Sequence, residues 1–232
     1  MTSDPHVTTH ELGGIRYLEY RTGAGAPGHP EGTRLPCVLV LHWMGSGPEA
    51  MLPICAGYPG AARFLLPFAP LPLGDAYTWF PLDFYDQPLA EQGITIRAIA
   101  DQLAGFLRAV SQQSPYRGRA AVMGLSQGGD LSYALALYHP DMIGLALPLA
   151  GRLVPEFRAA EPVTQGERPA IWVFHGADDQ VVPIDLAEEA VTWLQQQGFD
   201  AHLESYPDVG HDIPREMVID MYKVLQQALD LG

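Results

Sequence analysis

The chain has 232 residues, and its 13 Lys and Arg against 27 Asp and Glu give a formal net charge of −14 at neutral pH. Hydrophobic residues make up 47% of the chain and charged residues 17%, so it can bury a full core, which argues against a disordered chain. The negative charge disfavours binding to nucleic acid and to acidic membrane surfaces, because their phosphate groups repel it.

The sequence shows no signal for export or membrane insertion. No apolar run reaches about 18 residues, so we expect no membrane span, and residues 1–6 lack the basic-then-apolar pattern of a secretory signal. The two cysteines, Cys37 and Cys55, form no CxxC pair, and a single disulfide between them stays open. These features predict a cytoplasmic protein.

Short apolar runs predict most of the strands. Residues 7–20 hold Gly13 and Gly14 between two mixed runs, which predicts a polar hairpin at a sheet edge. Residues 37–42 form a nearly continuous aliphatic run, typical of a strand that is covered on both faces. The same character predicts strands at residues 63–69, 120–124, 143–149 and 170–175, and residues 201–206 are expected to form the last inner strand.

Helical patterns alternate with these strands. Apolar residues recur every three to four positions and predict amphipathic helices that include residues 96–110, 184–194 and 217–228. Residues 131–138 are apolar on nearly every side and predict a buried helix. The alternation predicts an α/β fold with a mostly parallel, doubly wound sheet and helices on both faces. We expect one domain over residues 1–232, with loops over residues 23–35 and 151–169.

A serine lies where a buried strand meets the buried helix. Gly124-Leu125-Ser126-Gln127-Gly128 has the G-x-S-x-G pattern of a nucleophile on a sharp strand-to-helix turn, which requires small neighbours. The following helix start offers unpaired N–H groups to a developing negative charge. The alternative is a Gly-Ser turn that only connects the two elements.

Candidates for an acid and a base follow in the chain. A serine nucleophile needs a base that takes its proton and a carboxylate that orients the base. Asp178 and Asp179 follow the predicted strand at residues 170–175, and His211 follows the one at residues 201–206. The carboxyl ends of parallel strands meet at one edge of the sheet, so these residues can reach Ser126. From spacing alone, either aspartate can be the orienting acid.

From about residue 36 to the C-terminus the chain resembles the carboxylesterase/phospholipase family of α/β-hydrolases, which includes the acyl-protein thioesterases. Besides the serine motif, the resemblance rests on His175-Gly176-x-x-Asp179-x-x-Val182-Pro183, Gly210-His211, Phe68-Ala69-Pro70 and Trp79-Phe80. It implies an α/β-hydrolase fold and a triad of Ser126, Asp179 and His211. It also implies an oxyanion hole formed by the backbone N–H groups of Met44 and Gln127. Met44 lies in the loop after an early strand, where Trp43 replaces the family's usual glycine.

These residues predict a serine carboxylic-ester hydrolase that acts on short- to medium-chain acyl esters through a covalent acyl-enzyme. Lysophospholipase or acyl-protein thioesterase activity is the alternative, and a non-catalytic binding protein of hydrolase ancestry is a further one. The expected partner is a small-molecule ester, no metal or organic cofactor is required, and homo-oligomerisation stays open.

The substrate pocket is expected to be apolar and open. Residues 151–169, where hydrolases often insert a cap, are too few for a large cap domain. Seven apolar residues lie in loops expected to face the site: Trp43, Leu71, Leu73, Trp79, Leu153, Val182 and Ile213. For each of them the alternative is that the side chain only fills the core. The net charge disfavours anionic substrates, although it says little about a local pocket.

Overall fold

The computed structural model describes residues 7–23, 32–159 and 167–230. In these residues the strands are β1 (Val7–Leu12), β2 (Ile15–Thr22), β3 (Pro36–Leu41), β4 (Ala62–Pro67), β5 (Leu71–Leu73), β6 (Ala76–Thr78), β7 (Arg117–Leu125), β8 (Ile143–Leu149), β9 (Ala170–Gly176) and β10 (Ala201–Tyr206). The α-helices are α1 (Leu52–Ala56), α2 (Leu89–Gln113), α3 (Gln127–Tyr138), α4 (Pro155–Ala159), α5 (Ile184–Gln196) and α6 (Arg215–Asp230).

Eight strands form one sheet in the order β1-β2-β4-β3-β7-β8-β9-β10, and β5 pairs with β6 in a small separate hairpin. The strands from β4 to β10 in this order are parallel, whereas β1 and β2 are antiparallel to their neighbours. From β3 the chain moves to β4 on one side and later returns to β7 on the other. Open α/β sheets bind ligands at such a reversal, beside the carboxyl ends of the strands.

The sheet separates two hydrophobic clusters because successive strand residues point to opposite faces. Leu39 and Leu41 of β3 pack with residues of α2, α3 and α5. Val38 and Val40 of the same strand pack with residues of α1 and α6. The continuous apolar run of β3 therefore reflects burial on both faces, and helices cover both sides of the sheet as predicted.

The strand predictions hold closely in the inner sheet and less well outside it. The predicted strands at residues 143–149 and 201–206 coincide with β8 and β10, but β10 ends the sheet and is only partly buried, so its assignment as an inner strand is wrong. The hairpin β1–β2 forms at the predicted place, but its polar assignment is wrong for β2, whose residues 17–20 are buried because β2 pairs with β4. The short elements α1, α4, β5 and β6 were not expected, and α4 lies in a stretch predicted as loop.

Two further expectations concern Cys37 and Cys55 and the membrane. Both cysteines are buried and free, so the open question of a disulfide between them is answered against one. No helix in the described residues has the length and apolar character needed to cross a membrane. Parts of the predicted loops, residues 24–31 and 160–166, lie outside the described residues.

Candidate active site

Ser126 occupies a strained turn between β7 and α3. Its φ of 57° and ψ of −115° lie in a region that side chains other than glycine rarely adopt. A Cβ atom at Gly124 would lie 2.5 Å from the carbonyl oxygen of Gly128, and one at Gly128 would overlap the carbonyl oxygen of Leu41 in β3. The two glycines therefore let the chain fold back on itself and expose the serine at the edge of the sheet.

Asp179 and His211 form a hydrogen-bonded pair at this edge. The Nδ1 atom of His211 lies 2.7 Å from Oδ2 of Asp179, which is buried while the histidine side chain is 20% exposed. The other carboxylate oxygen, Oδ1, accepts the N–H groups of Val181 at 2.8 Å and Val182 at 2.9 Å. With its Nδ1–H held in this way, His211 keeps Nε2 free to accept a proton.

The structure distinguishes the two neighbouring aspartates. The Asp178 side chain is exposed, and its backbone N–H bonds the carbonyl of Val209, which ties the acid loop to the loop that carries His211. A Cβ at Gly176 would overlap the carbonyl oxygens of Val209 and Gly210, so these two loops pack backbone against backbone. Asp179 is therefore the aspartate that contacts the histidine.

Asp130 lies one helical turn after Ser126 in α3. Burial raises the pKa of its carboxyl, whereas Arg152 and, to a smaller extent, the charge of His211 lower it, so His211 lies at the same edge of the sheet as the first turn of α3. In the described residues the Ser126 hydroxyl makes no hydrogen bond to His211, so direct contact between them stays a prediction.

The loop after β3 is fixed by the side chain of His42. Its Nδ1 lies 2.9 Å from the carbonyl of Trp43, and its Nε2 accepts the N–H of Ala69 at 3.2 Å. The indole N–H of Trp79 donates to the carbonyl of His42 at 2.7 Å. This arrangement requires a neutral ring with its proton on Nδ1, and burial lowers the pKa of His42 to about 4.

The same loop pairs with the β5–β6 hairpin. The N–H of Gly45 bonds the carbonyl of Tyr77, and the N–H of Tyr77 bonds the carbonyl of Ser46, both at 2.9 Å. Among the described residues, the N–H groups of Met44 and Gln127 make no hydrogen bond. Both predicted donors are therefore available to a ligand oxygen.

The hairpin also contacts the elbow through the side chain of Gln127. Its Oε1 accepts the N–H of Trp79 at 2.9 Å and the hydroxyl of Thr78 at 3.1 Å. The oxyanion loop and the elbow are thus both attached to residues 77–79. The sequence indicated a backbone role for Gln127 but gave no sign of this side-chain contact.

We expect acid to weaken the fold through His42. Because its folded pKa lies below the unfolded value near 6.5, the unfolded chain takes up the proton first, and stability falls as the pH drops from about 6.5 toward 4. A shift of this size corresponds to about 3 kcal/mol of unfolding free energy. Urea denaturation at pH 7 and at pH 4 measures this loss. Between the two pH values the free energy of unfolding of His42→Asn should fall by about 3 kcal/mol less than that of the wild type. His202→Asn, at an exposed histidine, is the control that should keep the wild-type pH dependence.

The seven predicted pocket residues fall into two groups. Leu71, Leu73, Trp43 and Ile213 are partly exposed, and the last two pack against the cluster of α1 and α6. Trp79 and Leu153 are buried in the cluster of α2, α3 and α5, and their place in the pocket stays a prediction. Val182 is also buried, and its carbonyl accepts a hydrogen bond from the ring of His175 at 2.7 Å.

Sequence reasoning missed a polar group beside the elbow. Asp130 is buried in α3 and bonds to Arg152, whose guanidinium lies 5.0 Å from the centre of the Tyr85 ring. The signal was a charged residue in an otherwise apolar helix, which requires a partner when it is buried. No group of three His, Cys, Asp or Glu residues in the described ranges could hold a metal ion.

Comparison with known proteins gives a family match. Residues 61–229 match the model of the phospholipase/carboxylesterase family, a range that includes Ser126, Asp179 and His211 but not the loop after β3. A probable carboxylesterase of Arabidopsis thaliana, SOBER1-like, is 30% identical over 110 residues, which are 47% of this chain and 42% of that protein. The chain spans less than half the length of the first curated relatives it matches.

A second relative and a solved structure complete the comparison. A rice protein named as a probable inactive carboxylesterase is 25% identical over 194 residues, covering 76% of this chain and 78% of that protein. The crystal structure of esterase PE8 superposes with a TM-score of 0.75 at 24% identity, covering 85% of this chain and 94% of that one. Together with the family match, this likeness gives the fold as that of the α/β-hydrolases, and no separate cap is evident in the described residues.

Proposed function

The chain belongs to the phospholipase/carboxylesterase family, and from this membership we propose that it is a serine carboxylic-ester hydrolase with Ser126 as nucleophile. The observation that carries the proposal is the bond of 2.7 Å between His211 and the buried Asp179, at the same sheet edge as a serine in a strained turn. A buried aspartate on Nδ1 fixes the tautomer in which Nε2 can act as base. The relative named inactive raises the non-catalytic alternative, but here all three residue types are present.

The proposed reaction has two steps. His211 takes the Ser126 proton as the serine oxygen attacks the ester carbonyl carbon, and it then gives this proton to the departing alcohol, which leaves an acyl-enzyme. Water, deprotonated by His211, attacks the acyl-enzyme and releases the acid and Ser126. Asp179 stabilises the imidazolium in both steps, and the N–H groups of Met44 and Gln127 stabilise the oxyanion.

We expect short- to medium-chain acyl esters to be the preferred substrates. The small β5–β6 hairpin and the absence of a large cap among the described residues support an open site, which favours access over a long enclosing channel. Lysophospholipids and acyl-protein thioesters use the same chemistry and are the competing substrate class. A chain-length series of matched esters and thioesters separates them, since preference for long acyl chains or for thioesters would contradict the proposal.

A fluorophosphonate probe tests the nucleophile directly. Such probes form a covalent bond with an activated serine, so the native protein should gain the mass of one probe, located by peptide mapping to the segment that contains Ser126. The heat-unfolded protein is the control and should not react. A native protein that stays unlabelled, or one labelled on another serine, would overturn the assignment.

A further inference from the structure

Asp130 anchors an arginine beside the elbow. Its Oδ1 accepts the backbone N–H of Arg152 at 2.6 Å, and its Oδ2 accepts the guanidinium Nη2 at 2.9 Å. Asp130 is buried in α3, and its own N–H bonds the carbonyl of Ser126 at 3.0 Å. Because a buried carboxylate needs a compensating charge, this ion pair holds Arg152 against the first turn of α3, which follows the nucleophile.

The guanidinium of Arg152 is not enclosed by this pair. The side chain is 21% exposed, and among the described residues its Nη1 has only a long contact of 3.4 Å with Oε1 of Gln92. The ring of Tyr85 lies next to it, with 5.0 Å between the guanidinium carbon and the ring centre, and Tyr85 is 46% exposed. A dissolved molecule can therefore reach both the arginine and the tyrosine.

Gln127 adds a buried donor to this place. Its Oε1 accepts two hydrogen bonds, and its buried Nε2 lies beside the Tyr85 phenol in a weak contact that falls short of a full hydrogen bond. Burial raises the pKa of the Tyr85 phenol, and the charge of Asp130 raises it further. The Gln127 side chain lowers this pKa, so the phenol lies near Asp130 and Gln127. We call Tyr85, Gln127 and Arg152 the donor cluster, since each carries at least one N–H or O–H group that has no strong acceptor among the described residues.

We propose that the donor cluster binds a carboxylate that the substrate carries in addition to its ester bond. A carboxylate presents only acceptors, which is what the cluster lacks, and arginine matches its geometry. The inference rests on the proposed function and names its substrate class. It differs from the expectation from net charge, because direct contacts with a guanidinium act at short range whereas the charge of the whole chain is screened by salt.

The experiment compares charged and neutral esters of the same shape. One arm uses the 4-nitrophenyl half-esters of adipic and suberic acid against their 4-nitrophenyl methyl diesters, which places the carboxylate on the acyl side. The other arm uses 4-acetoxybenzoate against its methyl ester, which places it on the leaving alcohol. The readout in each arm is the charged-to-neutral ratio of kcat/KM, so intrinsic reactivity cancels between variants.

The decisive variant is Asp130→Asn/Arg152→Gln, which removes both charges of the ion pair together and leaves neither unpaired. In at least one arm its ratio should fall about 10- to 100-fold, the range for losing a hydrogen bond to a charged group. The matched control, Asp141→Asn/Arg108→Gln, removes an exposed ion pair of the same kind and should keep the wild-type ratio. Tyr85→Phe should lower the ratio several-fold, and it decides the question alone if the double variant does not fold.

The outcomes distinguish failure of the carboxylate site from failure of the esterase proposal on which it rests. A wild type that hydrolyses neither ester of any pair contradicts the esterase proposal. The carboxylate site is overturned if the wild type hydrolyses the neutral esters and the charged-to-neutral ratio stays within twofold of the wild-type value in both variants and both arms. In that case the esterase proposal still holds. The two variants are Asp130→Asn/Arg152→Gln and Tyr85→Phe.

Discussion

Ser126→Ala should lower ester turnover by at least about 10⁴-fold, because loss of the nucleophile leaves only the residual catalysis of binding and oxyanion stabilisation. The variant should fold as the wild type does, since an alanine at this turn keeps a Cβ and the Ser126 hydroxyl makes no hydrogen bond among the described residues. The measurement is kcat/KM for a 4-nitrophenyl butyrate substrate, together with thermal unfolding.

Ser132→Ala makes the same chemical change a short distance away. Its hydroxyl is buried and donates to the carbonyl of Gly128 at 2.8 Å, which is a structural bond inside α3. We expect this control to keep turnover within a few-fold while losing about 1 kcal/mol of stability. If Ser126→Ala kept more than a tenth of the wild-type activity, the nucleophile would have to be sought elsewhere.

The second large effect is expected from Asp179→Asn, which should lower kcat by about 10⁴-fold. The N–H groups of Val181 and Val182 need an acceptor, so the amide oxygen should take the place of Oδ1 and the amide NH₂ should face His211. The histidine then accepts on Nδ1 and carries its proton on Nε2, which is the wrong tautomer for a base. Rate measurements at saturating ester test this.

Asp178→Asn is the matched control, at the next position and with the same change of charge. Its side chain is exposed, and the contact that holds its loop comes from its backbone, so turnover should stay within about twofold. The reverse order of damage, with Asp178→Asn the more harmful change, would show that the orienting acid has been misassigned.

The inner part of the fold could be predicted from the sequence because burial on both faces leaves a clear pattern. β8 shows that pattern over seven residues, whereas β5 and β6 have three residues each and carry no period. The buried half of β2 escaped prediction for another reason. Its pairing with β4, more than forty residues away, covers a strand whose own residues look mixed.

The candidate site, like the fold, could be predicted from the sequence only in part. Ser126 and His211 stand out because each lies in a glycine-containing loop after a strand, but the choice between Asp178 and Asp179 depends on which side chain turns inward. The donor cluster could not be read from the sequence, since Tyr85, Gln127 and Arg152 come from three distant segments. The single-domain assignment and the cytoplasmic location stay predictions.

Residues 77–79 contact both the loop after β3 and the elbow, and this bears on how the rate is achieved. Tyr77 pairs with Gly45 and Ser46, and Trp79 bonds both His42 and Gln127, so the two N–H groups proposed as oxyanion donors are carried by backbones attached to one support. Dipoles held in advance need little reorganisation when charge develops on the substrate. The entropy of ordering them is therefore lost once, when the chain folds, and not again in each turnover.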